Sequence, residues 1–165
     1  MDVAEKNAAI EEIKQVFARR VRAMDTKDWA LYETCHTEDV WSTSYGNIPG
    51  EHKPGGGSGA GMARGRKAVT DFIRFMLDGK TKLTTVHHAH TPEITITGET
   101  TATGIWAMED HLWWRNGEVD EFLHGYGHYH ETYRKVDGRW LIESRGLTRL
   151  RVDQTPNFFK YMEDN

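Results

Sequence analysis

The chain has 165 residues, with 21 Lys and Arg against 25 Asp and Glu for a formal net charge of -4. That length suits one domain, the near-neutral balance withholds the basic footprint that nucleic acid requires, and a 38% hydrophobic content with 16 Gly excludes a disordered chain. No apolar run approaches the ~18 residues of a membrane span, and Met1 to Lys6 form neither a basic nor an apolar leader region, so a soluble cytoplasmic protein is expected. Cys35 is the single cysteine, which excludes an internal disulfide and leaves a packed thiol as the simplest reading.

Ile10, Ile13, Phe17, Val21 and Met24 recur at spacings of three and four, predicting a helix of about five turns that ends near Asp25. A short second helix carries Trp29, Leu31 and Tyr32, and the β-branched and aromatic run 39–45 reads as a strand. The stretch 46–65 includes Pro54-Gly55-Gly56-Gly57-Ser58-Gly59-Ala60-Gly61, a composition with too much backbone freedom for regular structure. It lacks the Gly-x-x-x-x-Gly-Lys-Ser/Thr pattern of a phosphate loop and reads as a surface loop or a lid. Val69, Phe72, Ile73 and Met76 predict a third helix closed by Gly79. Strand-like runs then cover 83–97, 100–114, 121–135 and 139–151, separated by Gly98-Glu99, Asn116-Gly117 and Asp137-Gly138. Helices followed by an antiparallel meander predict a single α+β domain over 1–165, with a curved sheet against the helices and a tail at 153–165.

The strand region is rich in chemistry-bearing residues, and alternation sorts them by face. His87 lies opposite His88 and His90; Trp106, Met108 and Asp110 share one face; His124, Tyr126, His128 and His130 share another. A face that mixes Trp and Met with Asp reads as an apolar pocket with a few polar groups. For the histidines three readings stand: a carboxylate-oriented base titrating near neutrality, a metal site built on His128-x-His130 or His88-x-His90, or satisfied structural histidines. Asp25 and Asp28 serve either as caps of the second helix or, for Asp25, as the carboxylate behind a histidine. Arg149 is either a solvated charge like Arg145 and Arg151 or a group that reaches the cavity.

The run His90-Thr91-Pro92-Glu93-Ile94-Thr95-Ile96, followed by Glu99 to Gly104, Trp106 and Glu109-Asp110, resembles the bile-acid 7-alpha-dehydratase branch of the SnoaL-like proteins, within the NTF2-like (cystatin-like) superfamily. The likeness extends from about Ala9 to the Gly146-x-x-Arg149 ending. It implies an α+β barrel or cone with three N-terminal helices packed on a curved antiparallel sheet. It further implies chemistry without a cofactor or metal, and a homo-oligomer, a trimer before a dimer. By the same resemblance His87 is the proton-transfer residue, Asp110 and Asp25 are its carboxylate partners, and Arg149 and Tyr45 are further catalytic groups. Arg20 stands where that branch has a tyrosine, Val119 stands where a second tyrosine is expected, and the glycine-rich loop is longer; these departures move the expected substrate away from a steroid enone.

The resulting expectation is an elimination initiated by His87 on a cyclic or aromatic hydrophobic substrate. Trp41, Trp106, Met108 and Phe122 are expected to line the pocket, with Arg20 and His128 as additional substrate contacts. Isomerisation and carbon–carbon cleavage begin with the same proton transfer. A non-catalytic ligand-binding module is the alternative from another class.

Overall fold

The computed structural model describes residues 1–43 and 63–163. Most of the glycine-rich stretch, and Tyr45 with it, lies outside the described residues. Helix α1 (Val3–Thr26) starts at a capping box, in which the Asp2 carboxylate accepts from the Glu5 N–H and Glu5 accepts from the Asp2 N–H. Its buried stripe runs through Ala9, Ile13, Val16, Phe17, Arg20, Ala23 and Met24, so a cation sits within the apolar face. Ile10 and Val21, placed on that stripe by spacing, are half-buried at its edges. Asp28 caps α2 (Trp29–Thr34) by accepting from the Leu31 N–H at 3.0 Å, whereas Asp25 has a tertiary partner.

The remaining order is β1 (His36–Ser42), β2 (Ala63–Arg64), α3 (Arg66–Asp78), β3 (Thr84–Ala89), β4 (Glu93–Ile96), β5 (Thr101–Asn116), β6 (Val119–Val136), β7 (Arg139–Gln154) and a 3-10 turn at Phe158–Met162. The strands form one seven-stranded sheet in the order β2-β1-β7-β6-β5-β3, with β4 also on β5. The fold class is α+β, but the sheet is mixed: β1 runs parallel to β7, while the other pairings are antiparallel. Pro92 lies in the break between β3 and β4, as its missing N–H and fixed φ demand. Both of those strands lie along β5, so the run 83–97 is two strands.

The hairpin between β5 and β6 closes over Gly117-Glu118, with Gly117 at φ 61°, and that between β6 and β7 over Asp137-Gly138, with φ of 48° and 78°. Positive φ at these sites matches the right-handed twist of the strands they join. Two bulges interrupt β7, one that leaves Glu143 unpaired and one that leaves Leu150 unpaired. Each resets which side chains face the core. Among the described residues no helix is long and apolar enough to cross a membrane.

Candidate functional site

A cavity of about 430 Å³ opens between α1, α3, the sheet and the C-terminal turn, a volume in the range of small-molecule sites. Met24 and the α3 residues Phe72, Ile73, Met76 and Leu77 form one wall; Leu112, Leu123, Leu147 and Val152 form the sheet wall; Phe158, Phe159, Tyr161 and Met162 close a third side. The C-terminal turn Phe158–Met162 is therefore part of the cavity wall. The Trp114 indole anchors it by donating to the Phe158 carbonyl at 2.8 Å. Into this apolar enclosure project His87, Asp110, Tyr129, Arg145 and Arg149.

His87 and Asp110 are directly paired across β3 and β5, both on the buried side. The partner of the His87 ring is nevertheless Asp25, from the last turn of α1: His87 Nδ1 lies 2.6 Å from Asp25 Oδ1, and the His87 main-chain N–H donates to Asp25 Oδ2 at 2.9 Å. Thr85 donates to Asp25 Oδ1 at 2.9 Å, and Lys27 Nζ donates to Thr85 at 2.8 Å. Burial pushes the Asp25 carboxyl upward, but the hydrogen bonds from His87 and Thr85 with the imidazole's charge hold it below the usual carboxylate range. An ionised Asp25 accepts, so Nδ1 carries the ring proton and Nε2 keeps its lone pair. Burial pulls the His87 pKa below that of an ordinary histidine, against the opposing pull of Asp25; the ring is neutral near neutrality.

Asp110 is held by Arg149, with Arg149 Nη1 and Nη2 donating to its two oxygens at 2.7 and 2.6 Å. Burial raises the Asp110 carboxyl, but those bonds and the guanidinium charge outweigh it and keep the group ionised. The pair spans β6, roughly 10 Å from strand to strand. It can do so because β6 presents Gly125 there: a Cβ on Gly125 would collide with Arg149 Nη1 and Asp110 Oδ1. A glycine inside a strand is the sequence feature that could have pointed to this close approach.

The other expected contacts are placed elsewhere. Trp106 stacks on Phe17 at 3.8 Å and donates to the Tyr133 hydroxyl at 2.8 Å. Met108 packs with them behind the cavity, its sulfur 3.9 Å from Arg149 Nη1. Arg20 is enclosed beside the rings of Phe17 and Tyr129, 5.2 Å from each, and does not line the cavity. Phe122 turns to the opposite face against His124, and Trp41 lies at the β1–β2 edge beneath Arg64. His128 and His130 share that opposite face, where His130 meets Thr148. No group of three or more His, Cys, Asp and Glu side chains arranged to hold a metal ion occurs among the described residues. Arg145 is the wall residue that alternation missed: the unpaired Glu143 shifts the register, so that Arg145 joins Ile142 on the inner face.

A family model described as SnoaL-like domain matches residues 5–146. A scytalone dehydratase-like protein of Novosphingobium aromaticivorans superposes with a TM-score of 0.74 at 21% identity, covering 93% of this chain and 92% of that one. Hexachlorocyclohexane dehydrochlorinase LinA-type3 of Novosphingobium barchaimii superposes with a TM-score of 0.75 at 12% identity, covering 94% and 95%. These likenesses concern the fold. With the family model spanning most of its length, the chain belongs to the SnoaL-like domain family.

Proposed function

We propose that this protein is a lyase that eliminates a β leaving group from a cyclic or aromatic hydrophobic molecule, with His87 as the base and Asp25 as its orienting carboxylate, in the cone-shaped interior of an NTF2-like barrel. The observation that carries the reading is the 2.6 Å contact of His87 Nδ1 with Asp25 at the wall of an apolar cavity, which leaves Nε2 as the acceptor facing the space a substrate would fill. Nε2 takes a C–H proton, the carbon–hydrogen pair becomes the new double bond, and the leaving group departs with its bonding pair. The imidazolium, stabilised by Asp25, then gives that proton to the departing oxygen. Arg149, paired with Asp110, lies on the same wall. The names of the two superposed proteins, a dehydratase and a dehydrochlorinase, both denote eliminations and support the class. The proposal includes a homo-oligomer, a trimer before a dimer, packed through the sheet face that carries half-exposed Trp113 and Phe122, to be checked by sedimentation mass.

The test is a spectrophotometric screen for new conjugated double bonds, offering hydroxylated polyketides, diaryl-propane diols and steroid ketols to the wild type and His87→Gln. A chromophore formed by the wild type and slowed by about 10²- to 10⁴-fold in the variant is the expected result. Equal turnover by His87→Gln removes the base from the proposal.

A further inference from the structure

Charge on the inner sheet face does not balance residue by residue. Asp110 and Arg149 neutralise one another through two hydrogen bonds. Beside them, Glu131 and Arg145 face each other across β6 and β7, 2% and 7% exposed, with the wholly buried Arg20 nearby. Glu131 Oε2 accepts from the Tyr133 hydroxyl at 2.5 Å. Its Oε1 stands 3.7 Å from Arg145 Nε, too far for a hydrogen bond, and neither atom has a partner among the described residues. The three guanidinium nitrogens of Arg20 also lack partners among the described residues. Two guanidiniums thus share one carboxylate.

The two cations differ in what they face. Arg20 lies behind Tyr129, whereas Arg145, 4.0 Å over the same ring, is part of the cavity wall. Among the described residues the Arg145 side chain makes no hydrogen bond; its contacts are the long approach to Glu131 and the face of Tyr129. An arginine cannot shed its proton to relieve burial, and an enclosed cation without hydrogen-bonded acceptors is costly to keep. A cavity walled mainly by apolar side chains, with a guanidinium on its wall whose Nε has no hydrogen-bond partner among the described residues, suits a ligand oxygen that carries or develops negative charge.

We propose that Arg145 is the oxyanion-binding residue of this cavity, and that its substrates carry a carbonyl or acidic hydroxyl oxygen that docks on the Arg145 guanidinium. The proposal rests on the reading of His87 as the base, and it narrows the substrate to a carbonyl compound deprotonated next to the carbonyl. The C–H proton passes to His87 Nε2 and the carbonyl π pair moves onto oxygen, where Arg145 meets the enolate. When that pair returns, the bond from the β carbon to its hydroxyl breaks, and the hydroxyl leaves as water with the proton from His87.

Substituted phenols of similar size and increasing acidity mimic the enolate and need no turnover. Their dissociation constants, read by tryptophan fluorescence at fixed pH, are compared for wild type, Arg145→Met, Arg145→Lys and His87→Gln. Expected is a tightening of about tenfold to hundredfold from the least to the most acidic phenol in wild type and His87→Gln. Arg145→Met loses that dependence and Arg145→Lys keeps part of it, and the lysine variant carries the comparison if the methionine variant does not fold. Flat affinities in the wild type, no binding at millimolar phenol, or an unchanged dependence in the arginine variants overturns the proposal. An intact phenol dependence combined with full turnover by His87→Gln overturns the base assignment and leaves the oxyanion site standing.

Discussion

Asp25 grips His87 at two points, its Oδ1 2.6 Å from the ring Nδ1 and its Oδ2 accepting from the main-chain N–H of the same residue at 2.9 Å. The helix end and the strand are thereby locked together at the atom that fixes the imidazole tautomer. A carboxylate held this way orients the ring and stabilises its charged form.

Asp25→Asn tests that geometry. The amide keeps the shape of the carboxylate but brings its own N–H groups and removes the anion, so Nδ1–H is no longer the enforced tautomer. The expected outcome is a fall in kcat on the order of 10²- to 10⁴-fold with KM little changed, measured on whichever substrate the screen identifies. A variant within a few-fold of wild type shows that Asp25 holds structure only.

The pH dependence of kcat/KM follows from the same pair. Because burial lowers the His87 pKa, the imidazole stays unprotonated through neutrality, and the proposed role as base predicts an activity that falls on the acid side with a midpoint below the ordinary histidine value of about 6.5. In Asp25→Asn the anion that favours imidazolium is gone, so the acid limb moves to still lower pH while the plateau drops. A limb centred above 6.5 in the wild type contradicts the burial argument.

Gly125→Ala probes the clearance under the Asp110–Arg149 bridge. The methyl group would overlap both partners, so the pair must separate inside an enclosed site. Activity is expected to fall at least tenfold, and stability by roughly 1–3 kcal/mol, the usual cost of overpacking, read by urea denaturation. Gly117→Ala, where open space surrounds the added carbon at φ 61°, is the control for backbone strain without overlap.

Stability is expected to fall in mild acid because of His36. Burial, reinforced by the Arg20 charge, lowers its pKa from 6.5 to about 3, while its Nδ1–H donates to the Tyr32 carbonyl at 2.8 Å. Between those two values the unfolded chain binds one proton more than the folded one, so folding free energy is lost as pH drops from 6.5 towards 3, at about 1.4 kcal/mol per pH unit. His87, lowered in the same direction, adds to the slope below 6.5. Denaturation curves of wild type and His36→Asn at pH 7 and 5 measure it: the variant should show the smaller loss, and equal losses would exclude His36 as the source.

Much of this was legible before any coordinate. The spacing in α1 and the two hairpin turns follow from local chemistry, and alternation along β5 and β6 holds because those strands pair along the cavity wall without an inserted residue; the break at Pro92, which divides the expected strand 83–97 into β3 and β4, came only with the structure. It put His87 on the face away from His88 and grouped Asp110 with Trp106 and Met108, which is how they lie. Face, however, is not place. Trp106 and Met108 point inward yet pack behind the cavity, because inner-face residues farther along the same strand meet α1 rather than open space.

By itself the sequence determined the three helices and the long strands, their order, the inward set on the regular strands and the family likeness, since these depend on periods of 3.6 and 2 and on residues adjacent in the chain. The tertiary structure decided three other matters. It gave His87 to Asp25 rather than to Asp110, because α1 ends above β3 and Arg149 reaches Asp110 across Gly125. It folded the C-terminal turn Phe158–Met162 into the cavity wall. It also turned Arg145 inward while Arg151 stayed exposed, since one unpaired residue reverses the alternation of everything beyond it, and where a strand takes up that residue is set by its neighbours rather than by its own composition.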